Sequence, residues 1–168
     1  MALVLTRPLL GNIMKDRVVV FDLDGTLVEK EYLRAGLDSD NWDWLVFMKS
    51  MEGPRVIEET SDALLYHPDQ QNIILTARPS FLRTATKVML QELGLLPDRL
   101  IMMTDEESRQ SLAFPDYFIE QHVNFKKRVL MGLMNEFDIE MCYEDENYHL
   151  ETLEDLGLDY IQVTGEIR

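Results

Sequence analysis

Four short strings in this chain bring together residue types that could do chemistry on a charged ligand. The first is Asp22-Leu23-Asp24-Gly25-Thr26, two carboxylates one residue apart, directly behind the hydrophobic run Val18 to Phe21 and followed by a glycine. A strand that ends in such a turn sets two acids at the mouth of a sheet. At average residue usage, DxDGT arises by chance in about one chain in several hundred, and here it also has the strand it needs. The second string is Thr76-Ala77-Arg78-Pro79, after another apolar run. A hydroxyl, the free amides of a helix start and a guanidinium make an anion site. The third is Phe125-Lys126-Lys127-Arg128, the densest positive cluster in an acidic chain. With Asn124 read as a helix N-cap, these cations would oppose the macrodipole, a local cost that a bound phosphate would offset. The fourth is Tyr143-Glu144-Asp145-Glu146-Asn147, where adjacent carboxylates repel one another unless a divalent cation absorbs part of their charge.

The elements that must hold these strings alternate. Apolar or β-branched runs at Val18 to Phe21, Ile73 to Leu75, Leu100 to Met103, Ile139 to Tyr143 and Tyr160 to Val163 read as five strands. Between them lie stretches of helical period. One starts at Pro79, with Phe81, Leu82, Ala85, Val88, Met89 and Leu93 on one face and Gly94 as its stop. Another runs from Asn124 through Phe125, Val129, Leu133, Met134 and Phe137, and a third from Asn147 to Leu156 with Gly157 just beyond. Alternation of this kind predicts an α/β fold, a parallel sheet with helices on both faces. Ligands of such sheets bind beyond the carboxyl ends of the strands, where all four strings fall. Residues 29–66, with Trp42, Trp44, Phe47 and Pro54, read as a small helical insertion after the first strand, and Thr104 to Val123 as a long connection.

Composition narrows the ligand. The 168 residues suit one domain, here 17–168 behind an N-terminal extension of residues 1–16. Sixteen Lys and Arg against 31 Asp and Glu give a net charge of −15, which opposes an extended grip on nucleic acid and any hold on an anionic membrane. Either the partner is small, or a local basic site works against the overall field. Apolar runs of about four to six residues are far short of the ~20 that span a bilayer. The Leu-rich start is broken by Arg7 and Pro8, so a signal peptide is not expected and a cytoplasmic location follows. The single cysteine, Cys142, reads as an inert strand residue, and His67, His122 and His149 as structural.

Taken in series, DLDGT, ILTAR (74–78), Lys126 and YEDEN (143–147) resemble the motifs of the haloacid dehalogenase (HAD) superfamily of phosphotransferases, in the family's order and over Arg17 to Val163. Within it the chain is most similar to the 3′-phosphatase domains of polynucleotide kinase/phosphatases, including phage-encoded forms. The points of likeness are the Trp-rich stretch before Pro54, the TARP turn, ELGL, the Phe125-Lys126 pair and GLDYIQV. It departs from them in carrying Glu144-Asp145 where Asp-Asp is usual and Glu146 where Arg is common, and it has no GxxxxGK[ST] loop for a kinase half.

The resemblance implies a HAD-like Rossmannoid fold and a Mg²⁺-dependent phosphomonoesterase. Asp22 would be the nucleophile that forms an aspartyl-phosphate, and Asp24 the acid and base. Asp22, the Asp24 carbonyl and Asp145 would hold Mg²⁺, with Glu144 as substitute or support, while Lys126 (or Lys127, one residue along) and Thr76 would bind phosphoryl oxygens. Arg78 and Arg83 are candidates for a second phosphate or sugar, and Trp42 and Trp44 for stacking a base. The partner that the resemblance implies is a phosphorylated small molecule, a nucleotide or a nucleic-acid end, with a nucleotide or a nucleic-acid 3′-phosphate as the expected substrate. The alternatives are a 5′-nucleotidase or small-metabolite phosphatase of the same fold, and a non-catalytic HAD-like binding module. In this reading Arg78, Lys126, Lys127 and Arg128 form a positive island for one phosphate.

Overall fold

A computed structural model describes residues 15–29, 55–65, 70–113 and 117–164. Trp42, Trp44, His67 and residues 1–14 lie outside the described residues. Five strands, β1 (Arg17–Phe21), β2 (Gln71–Pro79), β3 (Arg99–Met103), β4 (Asp138–Glu144) and β5 (Tyr160–Gln162), form one sheet in the order β3-β2-β1-β4-β5. Every pairing is parallel. The chain builds outward from β1 through β2 to β3, then returns to the other side of β1 for β4. The topological switch point therefore lies between the carboxyl ends of β1 and β4.

Strand β1 is apolar at consecutive positions because both its faces are covered. Val19 and Phe21 look into one core with Ile74, Leu82, Met89 and Leu90. Val18 and Val20 look into the other with Ile73, Leu75, Phe125, Leu133 and Leu153. Helices α1 (Glu58–Leu65) and α2 (Arg83–Glu92) supply the first layer; α4 (Phe118–Glu136) and α5 (Asn147–Leu156) supply the second. Helix α3 (Asp105–Ala113) leads from β3 toward α4. Cys142 is a buried β4 residue in that second core, and burial pushes its thiol up to about 12. None of the described helices is long and apolar enough to cross a membrane.

Three elements differ from the sequence reading. Helix α4 starts at Phe118, not at Asn124, so Lys126 sits well inside it and exacts no macrodipole penalty. The supposed long connection is largely helical. Thr104 and Glu107 form a capping box, in which the Glu107 amide donates to the Thr104 hydroxyl at 3.2 Å and the Thr104 amide donates to the Glu107 carboxylate at 3.0 Å. That T-x-x-E signature starts α3 at Asp105. Pro79 closes β2 in extended conformation, a short 3₁₀ turn (Ser80–Leu82) follows, and α2 begins only at Arg83. Its buried stripe includes Thr86, Met89 and Leu90, while Phe81 and Val88 stay about half exposed. The stripe is rotated because a threonine occupies a core position.

The insertion after β1 is closed at its base. Val28 bridges Val56 in antiparallel sense, the Glu29 amide donates to the Arg55 carbonyl and the Ile57 amide to the Leu27 carbonyl, both at 2.9 Å. The segment thus leaves and rejoins the domain through one short ladder beside the DLDGT turn.

Helix α5 ends as its sequence predicts, with Gly157 in the left-handed region (φ 68°), its amide donating to Glu154 and that of Leu158 to Leu153. A Cβ at Gly157 would meet nothing within 4 Å, so an alanine there bears the backbone cost alone. Gly157→Ala should destabilise the fold by about 1 kcal/mol, read from urea unfolding midpoints.

Candidate active site

The site grows from the end of β1. The Asp22 amide continues the sheet ladder by donating to the Tyr143 carbonyl at 2.9 Å, which fixes Asp22 beside the last residues of β4. Phe21 and Tyr143 stack behind it, ring centroids 4.7 Å apart. The chain then turns sharply: the Leu27 and Val28 amides both return to the Leu23 carbonyl, and the Gly25 amide donates to the Val28 carbonyl at 2.7 Å. Gly25 takes φ 94° in that turn, a conformation open to glycine and strained for any side chain.

Lys126, 5% exposed, reaches from α4 into the switch point. Its ammonium donates to Asp22 Oδ1 at 2.7 Å and to Glu144 Oε2 at 2.6 Å. Burial alone would drive the lysine toward neutrality, but Asp22 and Glu144 outweigh it and hold the ammonium charged well above the ordinary lysine range. For Glu144 burial prevails: the carboxyl is pushed up to about 7, Lys126 opposing and Asp22 and Asp145 adding to the rise. Glu144 Oε1 also accepts the Asp145 and Glu146 amides, at 3.2 and 3.4 Å. Asp145 accepts from the buried Thr26 hydroxyl at 3.5 Å. Asp22, Glu144 and Asp145 bring one carboxylate oxygen each within 4.8 Å of one another. Hard oxygen donors in that grouping suit a divalent cation.

The second acid of the pair is served from the opposite face. Arg78 donates from Nε to Asp24 Oδ2 at 2.9 Å and from Nη2 to Asp24 Oδ1 at 2.7 Å, a bidentate fork on a guanidinium only 4% exposed. It is aimed there by a bulge. Thr76 pairs with Met102 and Pro79 with Met103, so Ala77 and Arg78 are extra residues in β2. Thr76, buried, accepts the Arg78 amide on its hydroxyl at 3.2 Å, and Nη1 of Arg78 donates to the Thr86 hydroxyl of α2 at 3.3 Å.

The structure thus gathers Asp22, Lys126, Glu144 and Asp145 in one cluster and sets Asp24 on Arg78 beside it. Of the two lysine candidates, Lys126 faces the acids, whereas Lys127 lies 3.6 Å from Asp155 on the surface. Arg128 is paired with Glu107 and Arg83 donates to the Leu100 carbonyl. The expected positive island is therefore not formed. Each of its four cations is turned to a carboxylate of its own, because helical geometry points three consecutive side chains in different directions. His149 is buried against a small cavity shared with Lys126 and Glu144. Thr26 as a partner of Asp145 and Thr86 as a partner of Arg78 escaped notice, although Thr86 is marked in the sequence as a polar residue within an apolar helical stripe.

No family model and no curated protein matches the chain. Solved structures do. One from a Pnkp1/Rnl/Hen1 complex superposes with a TM-score of 0.65 at 18% identity, over 89% of this chain and 45% of that one. The class C acid phosphatase of Bacillus anthracis gives 0.61 at 14%, over 92% and 68%, and the L-2-haloacid dehalogenase of Xanthobacter autotrophicus 0.54 at 11%, over 89% and 77%. The fold is that of the HAD-like hydrolases. This chain spans under half the length of the Pnkp1 complex chain that it matches.

Removing the shared cation should cost more than removing its neighbour. Lys126→Met should lower the unfolding free energy at pH 7 by about 3–5 kcal/mol, since two buried acids lose their counterion. Lys127→Met should stay within about 0.5 kcal/mol. Four residues before Lys126, desolvation and then the Lys126 charge pull the His122 imidazole down to about 4 from 6.5. Stability held by its neutral form is present above pH 6.5 and lost as pH falls through 4. Urea unfolding at pH 7 and pH 4.5 should show a smaller acid loss in His122→Gln than in wild type.

Proposed function

We propose that this protein is a Mg²⁺-dependent phosphomonoesterase that works through an aspartyl-phosphate on Asp22. The observation that carries the reading is the Lys126 ammonium held between Asp22 and Glu144 at the switch point. A carboxylate that must attack a phosphate dianion needs positive charge at its own oxygen, and a buried lysine supplies it without reorganisation.

In the first step an Asp22 oxygen bonds to phosphorus while the bond from phosphorus to the leaving oxygen breaks, and Asp24 gives that oxygen a proton. In the second, water attacks phosphorus, the bond to Asp22 breaks, and Asp24 takes the water proton. Lys126 and the Thr76 hydroxyl would bind the phosphoryl oxygens. Mg²⁺, held by Asp22, Asp145, the Asp24 carbonyl and Glu144 at first or second remove, would supply electrostatic stabilisation of the phosphoryl charge.

For the substrate we infer a terminal phosphate, on a nucleotide or at a nucleic-acid 3′ end. The −15 net charge resists any ligand gripped along its backbone, and the likeness to a structure from an RNA-repair complex agrees with an end-directed role.

Wild type should release phosphate from a generic aryl phosphate with Mg²⁺ and lose that activity with EDTA. Asp22→Asn should lose it by roughly a thousandfold or more. Equal release by wild type and Asp22→Asn would refute the nucleophile, and none by either would favour a binding module. On a panel of 3′-phosphorylated oligonucleotides, 5′-mononucleotides and sugar phosphates, the 3′ ends should turn over fastest. Uniform slow rates would count against end processing.

A further inference from the structure

We propose that Arg78 is a positioning residue for the second chemical step, holding Asp24 as the acceptor of the water proton when the aspartyl-phosphate breaks down. This rests on the phosphomonoesterase reading above. As a polar donor beside an anion site, Arg78 could equally touch the substrate, but its geometry points inward. The guanidinium is buried, its fork takes both Asp24 oxygens at 2.7 and 2.9 Å, and Nη1 is held by Thr86 at 3.3 Å. Met89 Sδ lies 3.7 Å from the same nitrogen. The two-residue bulge in β2 has no pairing role of its own and serves to direct this side chain.

A donor fork keeps Asp24 ionised and fixed in one orientation while taking only one lone pair of each oxygen, so that a second lone pair stays able to accept a proton. That is the state of Asp24 after it has protonated the leaving alcohol. In the second step the bond from water oxygen to phosphorus forms, the bond from phosphorus to Asp22 breaks, and the water proton passes to Asp24. An Asp24 free to rotate would meet that water less often, with a loss on the scale seen for small misplacements of catalytic groups.

The test uses p-nitrophenyl phosphate with Mg²⁺, whose leaving group departs without a proton, so that kcat/KM reports the first step and kcat the second once that step is slow. In Arg78→Lys, which keeps the charge and loses the fork, kcat should fall roughly ten- to a hundredfold while kcat/KM stays within about threefold. KM should drop in parallel, and rapid mixing should reveal a burst of p-nitrophenol equal to the enzyme present. Thr86→Val should give a weaker form of the same pattern, and it keeps the test open if an Arg78 variant fails to fold. Inhibition by inorganic phosphate should be unchanged in both. If kcat/KM fell as far as kcat, if KM rose with kcat unchanged, or if no burst formed, the assignment of Arg78 to the second step would be overturned. Failure of wild type itself to release p-nitrophenol would sink the phosphomonoesterase reading, a result distinguishable from all of these.

Discussion

The described residues are arranged around one electrostatic problem, the burial of carboxylates at the carboxyl ends of two neighbouring parallel strands. Asp22 and Glu144 could not both stay ionised there without a counterion, and the Lys126 ammonium lies within 2.7 Å of both. That requirement fixes more than a side chain. It demands that α4 pass over the β1–β4 junction with Lys126 on its buried face, alongside Phe125, Leu130 and Leu133. A buried ion pair of this kind adds little net stability compared with an apolar core of equal volume. Its presence in the middle of a hydrophobic layer is better explained by what it does for the carboxylates than by what it does for the fold.

The two acids of the DLDGT turn are handled separately, and the sheet itself provides the partition. Asp22 is met by a lysine from the helical layer that covers Val18 and Val20. Asp24, beyond the point where the chain turns, is met by an arginine backed by Thr86 of the layer that covers Val19 and Phe21. Two like charges two residues apart thus have two cations on opposite faces, each buried and each approached at hydrogen-bond distance. Such separation lets neighbouring carboxylates keep different partners and so do different work. Val28, which bridges Asp24 within the same turn, also bridges Val56, so the segment ahead of α1 is tied to the turn that carries Asp24.

The sheet and the acids were legible because each is written locally. Apolar or β-branched runs mark all five strands, and a glycine after two spaced aspartates marks the turn. Gly157 marked the end of α5 for the same reason, since a left-handed residue leaves its trace at one position. Less legible was anything set by a helix's rotation about its axis. A stripe containing Thr86 reads as displaced when only apolar residues are counted, which put Phe81 and Val88 inside and Thr86 outside. The start of α4 was hidden by Asn124, a good cap in isolation, while the true start at Phe118 has no side-chain cap to announce it. The Thr104 capping box was in plain view, though a stretch dense in charge resembles a loop until its reciprocal bonds are considered.

These rotations bear on the charge of the site. Lys126, Lys127, Arg128 and Arg78 look in sequence like a positive island able to receive a phosphate unaided. In space Lys126 is shared by two acids, Lys127 lies toward Asp155, Arg128 toward Glu107, and Arg78 is engaged by Asp24. Among the described residues, the balance at the switch point sets the Lys126 ammonium against Asp22, Glu144 and Asp145, in a chain whose overall charge is −15. A phosphate dianion approaching such a point is repelled, and more strongly than in water because the walls are apolar. The repulsion is lifted if a divalent cation joins the acids first, so the dispersal of the basic residues is itself the electrostatic argument for metal dependence in the proposed reaction. The acidity of the chain and the choice of a phosphorylated ligand, which seem opposed when only net charge is counted, become compatible once the cation stands between them.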